Sequence, residues 1–339
     1  MKDVEDNIAE QQHQLRLCVA GAGAIGITLA TKLAAQYPNV SILARGRTLA
    51  DIREKGIALT DRDGHRALEV PVASAEGLGI QDVVFLCPKA QDLPQLAKDI
   101  QPLLHEGTLI VPVVNGIPWW YFEGAGASHR PHDIHAVDPG RELKALLPSA
   151  CVIGCVTMFT AARISRSEAV AMNGVKLVLG EIDNQDKPRS HELGALLNAC
   201  GIETRVSERI RDPLWTKVIA NLMSNPLSVV AETHLRDLCG LEPLSRVVKQ
   251  LLNEALLVAA SYGARLELDP ESLMKFAAGM GEVKTSMLQD YESGHPLELG
   301  AICDAVIELG DIRGLDMPLT RTITAIARYK SDAAMRAAA

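Results

Sequence analysis

A glycine-rich turn near the N-terminus constrains the fold more than any other feature of the sequence. Residues 15–20, LRLCVA, form a short apolar run of strand type, and GAGAIG follows directly and opens a helical pattern. A G-x-G-x-x-G turn between a strand and a helix lets a pyrophosphate approach the backbone, and the helix N-terminus stabilises its charge. The turn predicts nucleotide binding, with a packing turn or the glycine loop of a methyltransferase as alternatives. The nucleotide-binding residues predicted here are Gly21, Gly23, Ala24, Ile25 and Gly26.

Strand-like and helix-like segments alternate through the first half of the chain. Strands are predicted at 15–20, 40–45, 81–87 and 108–114, with helices at 48–55 and 90–100. This alternation predicts an α/β domain with a doubly wound parallel sheet of Rossmann type. An insert near 117–145 interrupts it with aromatic residues, Gly, Pro and three His. Strands are expected again at 151–159 and 175–179, and a helix near 190–200.

From about residue 208 only helical patterns remain. Helices are predicted at 212–228, 243–262, 270–280, 297–309 and 318–329. We therefore expect an all-α C-terminal domain after the α/β domain. The predicted organisation is a disordered tail at 1–14, a nucleotide-binding domain at 15–207, a helical domain at 208–332 and a frayed tail at 333–339.

Composition excludes several classes of function. Lys and Arg number 34 against 42 Asp and Glu, and the net charge of −8 argues against nucleic acid or an anionic membrane as partner. No run approaches the roughly 18 apolar residues of a membrane span, and the first 14 residues lack the apolar centre of a signal peptide. The seven cysteines form no CxxC pair and no His cluster accompanies them, so we expect buried free thiols, no metal site and a cytoplasmic protein.

The end of the second predicted strand bears on the choice of cofactor. Dinucleotide-binding domains that use NAD place an acid there for the ribose 2′-hydroxyl, whereas an Arg accommodates the 2′-phosphate of NADP. This chain reads ARGR, with Arg45 at the strand end, Arg47 just beyond and no acid before Asp51. The pattern favours NADP (NADPH) over NAD, and the alternative is that both arginines are solvated loop residues.

A polar stripe marks one apolar helix of the second half. In LWTKVIANLMSNPLSVV (214–230), Lys217, Asn221 and Asn225 lie at positions i, i+4 and i+8, so they share one face. Lys217 could simply extend its ammonium to water, with Asn225 ending the helix before Pro226. The other interpretation is that this face meets a ligand.

Several motifs taken together resemble the ketopantoate reductase (2-dehydropantoate 2-reductase) family. They occur in the expected order along nearly the whole chain: GAGAIG at 21–26, CPKA with Lys89, the pair Asn115–Gly116, WTKVIANLMSNP at 215–226, and TSMLQD at 285–290 followed by Glu298. The resemblance implies a Rossmann domain, a helical domain related to that of 6-phosphogluconate dehydrogenase, and NADPH-dependent reduction of ketopantoate to pantoate in pantothenate biosynthesis.

The resemblance also implies roles for individual residues. Lys217 would be the catalytic proton donor, and Glu298 would bind the substrate hydroxyl and pair with Lys217. Substrate contacts are expected from Asn115, Asn221, Asn225 and Ser286, and cofactor contacts from Lys89 and Asn115. Hydride reduction leaves negative charge on a carbonyl oxygen, which a lysine of lowered pKa can neutralise.

Each of these positions also has a structural interpretation. An acid such as Glu298 is favoured in a first helical turn in any case, if Pro296 opens a helix there. Ser286 could be a helix cap. Asn115–Gly116 could be a plain turn and Lys89 a surface lysine.

Departures from the family pattern bear on the substrate. His234–Leu235, Val283 and Gly300 stand where relatives often carry polar or turn-forming residues, and Trp119–Trp120 follows Asn115–Gly116. The two tryptophans could line the substrate pocket or pack the insert against the sheet. Another bulky branched or aromatic 2-oxo acid is therefore an alternative substrate, and a non-catalytic NADP-binding protein is a third interpretation. A homodimer formed through the helical domain is also expected.

Overall fold

A computed structural model describes residues 14–124 and 132–338 of the chain. They form two compact units, and the chain passes between them more than once. The first unit takes in the described residues 14–114, 123–124 and 142–210, and the second takes in 115–122, 132–141 and 211–338. The disordered tail expected at 1–14 falls outside the described residues except for its last position.

The first unit contains every strand of the described residues and six α-helices. Its strands are β1 (Leu17–Ala20), β2 (Val40–Leu43), β3 (Ile57–Asp61), β4 (Gly64–Leu68), β5 (Val72–Ala73), β6 (Val83–Leu86), β7 (Leu109–Pro112), β8 (Ile153–Thr157), β9 (Ala161–Arg163), β10 (Glu168–Ala171), β11 (Lys176–Glu181) and β12 (Glu203–Val206). Its helices are α1 (Ala24–Ala34), α2 (Gly46–Lys55), α3 (Ala75–Leu78), α4 (Leu93–Asp99), α5 (Glu142–Leu146) and α6 (Pro188–Ala199).

The main sheet is parallel, in the order β5-β2-β1-β6-β7. Val19 at its centre lies opposite Ile42 of β2 and Phe85 of β6. Strands β1, β2 and β6 are buried throughout, which explains why their sequences are continuous apolar runs rather than alternating ones. The predicted doubly wound parallel sheet is confirmed.

Two smaller sheets complete this unit, in the orders β4-β3-β10-β9 and β12-β11-β8. The sequence predicted β8 and β11 but not the β3–β4 hairpin, nor β9, β10 and β12. Strand β4, GHRAL, is exposed over most of its length, so it lacks the apolar periodicity on which a prediction depends.

The second unit is helical, as predicted. Its helices are α7 (Arg211–Ala231), α8 (Leu235–Gly240), α9 (Leu244–Ser261), α10 (Pro270–Gly279), α11 (Ser286–Glu292), α12 (Ala305–Ile312) and α13 (Pro318–Ala338), with a π-helical turn at Gly300–Asp304 before α12. The sequence did not predict the short helices α8 and α11. Helix α13 continues to Ala338, past the predicted helix end at residue 329 and into the segment expected to be a frayed tail. No helix in the described part of the chain is long and apolar enough to cross a membrane.

The start of the insert packs within the helical unit. Trp119, Trp120 and Tyr121 are buried. The hydroxyl of Tyr121 accepts a 2.7 Å hydrogen bond from the indole N–H of Trp215, and its ring meets that of Tyr262 edge-on at 5.9 Å. The aromatic side chains of this segment therefore belong to the core of the helical unit, which neither of the two interpretations from the sequence predicted.

Candidate active site

The glycine turn lies between β1 and α1, at the carboxyl edge of the main sheet. Gly21 has a φ of +108°, which side-chain-bearing residues rarely adopt. A Cβ on Gly26 would lie 1.9 Å from the carbonyl oxygen of Gly21, so the turn closes only with glycine there. A Cβ on Gly23 would meet nothing closer than 3.9 Å. Because packing does not require this middle glycine, its side remains open to a ligand approaching α1.

Two further predicted cofactor residues follow strands of the same sheet. Arg45 comes after β2 and is the N-cap residue of α2, with its guanidinium Nη1 3.2 Å from the carboxylate of Asp99. Lys89 comes after β6 and precedes the short 3₁₀ helix Ala90–Asp92. Residues at the carboxyl ends of parallel strands are placed to meet a ligand there. The first acid after Arg45, Asp51, lies 3.5 Å from Arg166 instead of at the strand end.

The polar stripe lies on α7 in the second unit. Lys217 is half-buried, and desolvation lowers the pKa of its ammonium below the ordinary value. No residue in the described part of the chain forms a hydrogen bond or ion pair with that ammonium, so the expected pairing with Glu298 is absent here. Lys217 is therefore a cation in an unfavourable environment, able to give up its proton more readily than an exposed lysine.

Asn225 carries the second unusual polar group of this face. Its side chain is 4% exposed, and its Nδ2 has no hydrogen-bond partner in the described structure. Helix α7 runs through Pro226 to Ala231, so the alternative in which Asn225 ends the helix is wrong. A buried amide donor without a partner costs about 1–3 kcal/mol, and a ligand acceptor would remove that cost. Asn221, one turn earlier, is half-buried.

Glu298 is a buried acid in the irregular segment between α11 and the π-helical turn. Glu298 is 5% exposed and directly precedes the helical segment that begins at Leu299. Pro296 therefore does not open a helix, and Glu298 does not occupy a first helical turn. The π-helical turn Gly300–Asp304 follows, a geometry that is frequent at functional sites.

Ser286 and Asn115 lie in the same unit as α7. Ser286 is the exposed first residue of α11, whereas Thr285 is its cap and accepts a 3.1 Å hydrogen bond from the amide of Leu288. The cap interpretation of Ser286 is therefore wrong. Thr285 is also within 2.6 Å of the Ser228 hydroxyl of α7. The sequence predicted neither the cap nor this link, and a Thr before an apolar helix start was the available signal for the cap alone.

Asn115 precedes a glycine that the local packing requires. A Cβ on Gly116, at a φ of +89°, would lie 2.4 Å from the carbonyl oxygen of Ala301 in the π-helical turn. The amide of Ile117 donates to that same oxygen at 2.8 Å. Asn115 is thus held beside the segment that follows Glu298. Among the described residues, no group of three or more His, Cys, Asp and Glu has the arrangement of a metal site.

Two protein-family models match the chain, one in each half of the sequence. The model described as Ketopantoate reductase PanE/ApbA matches residues 17–184, and the model described as Ketopantoate reductase PanE/ApbA C terminal matches residues 209–331. The chain belongs to the ketopantoate reductase family. A 2-dehydropantoate 2-reductase from Mesorhizobium japonicum is 36% identical over 317 residues, 92% of this chain and 95% of that relative. Family membership makes the chain an oxidoreductase.

Solved structures agree with this assignment. A crystal structure from Ralstonia solanacearum, assigned as a ketopantoate reductase, has a TM-score of 0.87 and 32% identity, and the match covers 94% of this chain and 98% of that one. A D-mandelate dehydrogenase in complex with NADH and anilino(oxo)acetate has a TM-score of 0.80 at 20% identity, covering 94% and 99% of the two chains. At that identity it shows a shared fold and no more.

The positions that depart from the ketopantoate reductase pattern have structural roles in this chain. His234 is the N-cap residue of α8, and the amide of Leu235 donates a 3.1 Å hydrogen bond to the carbonyl of Val283. A Cβ on Gly300 would lie 3.3 Å from the carbonyl oxygen of Ala136, a tight contact. The backbone at these positions thus takes part in local packing and hydrogen bonding.

Proposed function

We propose that this chain reduces 2-dehydropantoate (ketopantoate) to pantoate with NADPH, a step of pantothenate biosynthesis. The observation that carries the proposal is the half-buried Lys217, whose pKa is lowered by desolvation and whose ammonium has no partner in the described structure. The 36% identical 2-dehydropantoate 2-reductase supports the choice of substrate.

The proposed mechanism assigns the proton to Lys217. NADPH, when bound, supplies hydride to the 2-keto carbon. Negative charge then develops on the carbonyl oxygen, and the Lys217 ammonium donates its proton there. A lowered pKa favours this transfer because it brings the acid strength of the lysine closer to the working pH.

The other residues of the set bind and orient the substrate in this proposal. Asn221 and Asn225 donate hydrogen bonds to the substrate carboxylate without adding charge, and the unpartnered Nδ2 of Asn225 supports that role. Glu298 accepts a hydrogen bond from the substrate hydroxyl. Ser286 and Asn115 contribute further polar contacts.

The residues at the carboxyl edge of the main sheet fit a dinucleotide with a 2′-phosphate. The open side of Gly23 suits the approach of a pyrophosphate to the N-terminus of α1. The exposed guanidinium of Arg45 suits a phosphate, because its planar fork matches phosphate oxygens in pairs. Lys89 and Asn115 complete the proposed cofactor contacts.

The test is oxidation of NADPH by the purified full-length chain with ketopantoate, run beside a panel of branched and aromatic 2-oxo acids. We expect turnover of ketopantoate that Lys217→Ala abolishes. Lys275→Ala is the matched control, because Lys275 is exposed on α10 and paired with Glu271. NADPH binding without turnover of any acid would favour a non-catalytic NADP-binding protein.

A second candidate function is reduction of another bulky 2-oxo acid. Leu235, Val283 and Gly300, which depart from the family pattern, favour it, because they offer no polar side chain to bind a substrate hydroxyl. Turnover of an aromatic or branched acid without turnover of ketopantoate would replace the first proposal by this one.

We also propose that the chain forms a homodimer through its helical unit. Leu257 on α9, Phe276 on α10 and Tyr329 on α13 are 61%, 65% and 68% exposed, more than large apolar side chains usually are in a monomer. Sedimentation of the full-length chain tests the proposal. We expect a dimer that Leu257→Glu or Phe276→Glu dissociates, and a monomeric wild type contradicts it.

A further inference from the structure

Several arginines surround the first turn of α2 in the first unit. They are Arg45, Arg47, Arg163 and Arg166. Arg45 pairs with Asp99 at 3.2 Å, and Arg166 lies 3.5 Å from Asp51. Arg163 differs from both, because no carboxylate in the described part of the chain lies within ion-pair distance of its guanidinium.

The guanidinium of Arg163 is nevertheless held in place. Arg163 ends strand β9, and its Nε donates to the carbonyl of Ser165 at 3.0 Å. Its Nη2 donates to the hydroxyl of Thr48 at 3.2 Å and to the carbonyl of Arg166 at 3.4 Å. All three acceptors are neutral oxygens. The remaining nitrogen, Nη1, has no hydrogen-bond partner in the described structure, so two of the five N–H donors of the group remain available.

Arg163 is exposed, yet the groups around it bring it more positive than negative charge. Thr48 belongs to the first turn of α2, where the helix dipole is positive. Desolvation, and then the neighbouring Arg166, lower the pKa of Arg163 from its ordinary value, and Asp51 offsets this only in part. A bound anion would improve this arrangement. The surface at the start of α2 is open, because a Cβ on Gly46 would meet no atom within 4 Å.

We propose that Arg163 is a second specificity-determining residue for the 2′-phosphate of NADPH, acting with Arg45 at the start of α2. The inference rests on the proposed use of NADPH and adds a residue that lies far from Arg45 in sequence. Arg45 extends from the N-cap of the helix, while Arg163 approaches the same turn from β9 and is fixed there by Thr48. Its free Nη1 donors and those of Arg45 would then bind the phosphate from two directions.

The experiment compares two nucleotides that differ only in the 2′-phosphate. The Kd values of NADPH and NADH are measured by fluorescence titration of the full-length chain without substrate. For Arg163→Gln we expect a roughly tenfold weaker Kd for NADPH and a Kd for NADH within about twofold of wild type, the size of one charge-assisted phosphate contact. Arg163→Lys keeps the charge without the fork, and we expect an intermediate loss.

The control is Arg53→Gln. Arg53 lies in the last turn of the same helix, also without a carboxylate partner in the described structure, and donates to the carbonyl of Val72. We expect neither Kd to change. Thermal unfolding of each variant shows whether Arg163 only supports the fold, since a structural loss would weaken NADPH and NADH binding equally.

The Kd values decide whether Arg163 binds the 2′-phosphate. An unchanged NADPH Kd in Arg163→Gln, or equal losses for both nucleotides, overturns the inference. If Arg45→Gln then still loses NADPH selectively, the proposed cofactor stands and only the role of Arg163 fails. A wild-type chain that binds NADH as tightly as NADPH overturns both the cofactor and this inference.

Discussion

Lys217 combines a charged side chain with a position that disfavours the charge. Its pKa is lowered by desolvation, so the folded chain binds the lysine proton less tightly than the unfolded chain does. Between the lowered pKa and the ordinary value of about 10.4, the unfolded state therefore holds more protons. Over that interval the stability of the wild-type chain must rise with pH. At neutral pH the buried ammonium lowers the free energy of unfolding.

The first prediction separates the catalytic role of Lys217 from its effect on stability. Lys217→Met should lower kcat at least about a hundredfold, the usual contribution of a general acid. The same change should leave the melting temperature equal to or above that of the wild type at neutral pH, and the difference should shrink as the pH rises towards 10. Paired NADPH-oxidation and thermal-unfolding measurements check this, with Lys275→Met as the exposed control. A less stable Lys217→Met at neutral pH contradicts the argument.

The second prediction concerns the buried amide of Asn225. Asn225→Leu replaces an unpartnered Nδ2 by an apolar group of similar size. We expect the free energy of unfolding to rise by about 1 kcal/mol, because an unsatisfied buried donor is removed. We expect KM for the keto acid to rise, because the proposed carboxylate contact is lost. Urea unfolding and steady-state kinetics are the measurements.

The control for this change is Asn253→Leu, in which an exposed amide on α9 is replaced in the same way. Neither stability nor KM should respond to it beyond small surface effects. Unchanged kinetics in Asn225→Leu would remove Asn225 from the substrate-binding set.

At the scale of elements, the glycine turn between β1 and α1 contains one glycine that the fold requires and another that the proposed ligand requires. Gly26 allows α1 to pack against the turn, whereas the missing side chain of Gly23 leaves space beside it. Two glycines of one motif therefore perform different tasks.

The third prediction follows from that difference. Gly26→Ala places a methyl group 1.9 Å from the Gly21 carbonyl oxygen, and we expect a loss of about 1–3 kcal/mol or more in stability, as for overpacking in a core. Gly23→Ala should change stability by less than about 1 kcal/mol, since only a cap residue is altered. It should nevertheless weaken NADPH binding at least about tenfold, because the methyl group obstructs the pyrophosphate. Urea unfolding and fluorescence titration distinguish the two variants, and equal behaviour would contradict the assignment.

The sequence predicted those elements whose burial produces a regular apolar pattern. The continuous apolar strands β1 and β6 and the long helices α7 and α9 were predicted close to their observed bounds. The exposed strand β4 and the short helix α8 were not predicted, because β4 has no buried side chain and α8, at six residues, is too short to establish a period.

In the candidate site, too, local sequence patterns predicted some features and not others. Residues that follow a strand or share a helix face, such as Arg45 and Lys217, could be predicted from local spacing and motifs. Contacts between distant residues could not be. Thr285 and Ser228 meet across 57 residues of sequence, and Arg163 reaches Thr48 across 115. Hydrogen bonds of this kind depend on the fold, and no local pattern encodes them.

At the scale of the whole molecule, the helical unit is not a continuous stretch of chain. Residues 115–122 and 132–141 belong to it, although residues 142–210 of the first unit separate them in sequence from the rest of the helical unit. In the first stretch, the Tyr121 hydroxyl accepts a hydrogen bond from the indole N–H of Trp215. In the second, the amides of His135 and Ala136 donate hydrogen bonds of 2.8 and 2.9 Å to the carboxylate of Glu308. Removing these stretches would leave Trp215 and Glu308 without those partners.

The fourth prediction uses this interruption. A fragment of residues 211–339 should not fold stably alone, because it lacks the aromatic block Trp119, Trp120 and Tyr121 and the rest of residues 115–122 and 132–141. A fragment that carries residues 115–141 joined to residue 211 by a flexible linker should recover a cooperative transition. Circular dichroism during urea unfolding compares the two. A cooperative transition of equal midpoint in the shorter fragment would show that the interruption contributes nothing to stability.

The placement of the aromatic block has a spectroscopic consequence. The chain contains three tryptophans, Trp119, Trp120 and Trp215, and all three belong to the helical unit. Light absorbed only by indole therefore reports on that unit, while the parallel sheet emits no tryptophan signal of its own. The natural sequence thus carries a built-in, unit-specific optical label, and comparing its emission with backbone ellipticity during denaturation would reveal whether the two units melt together.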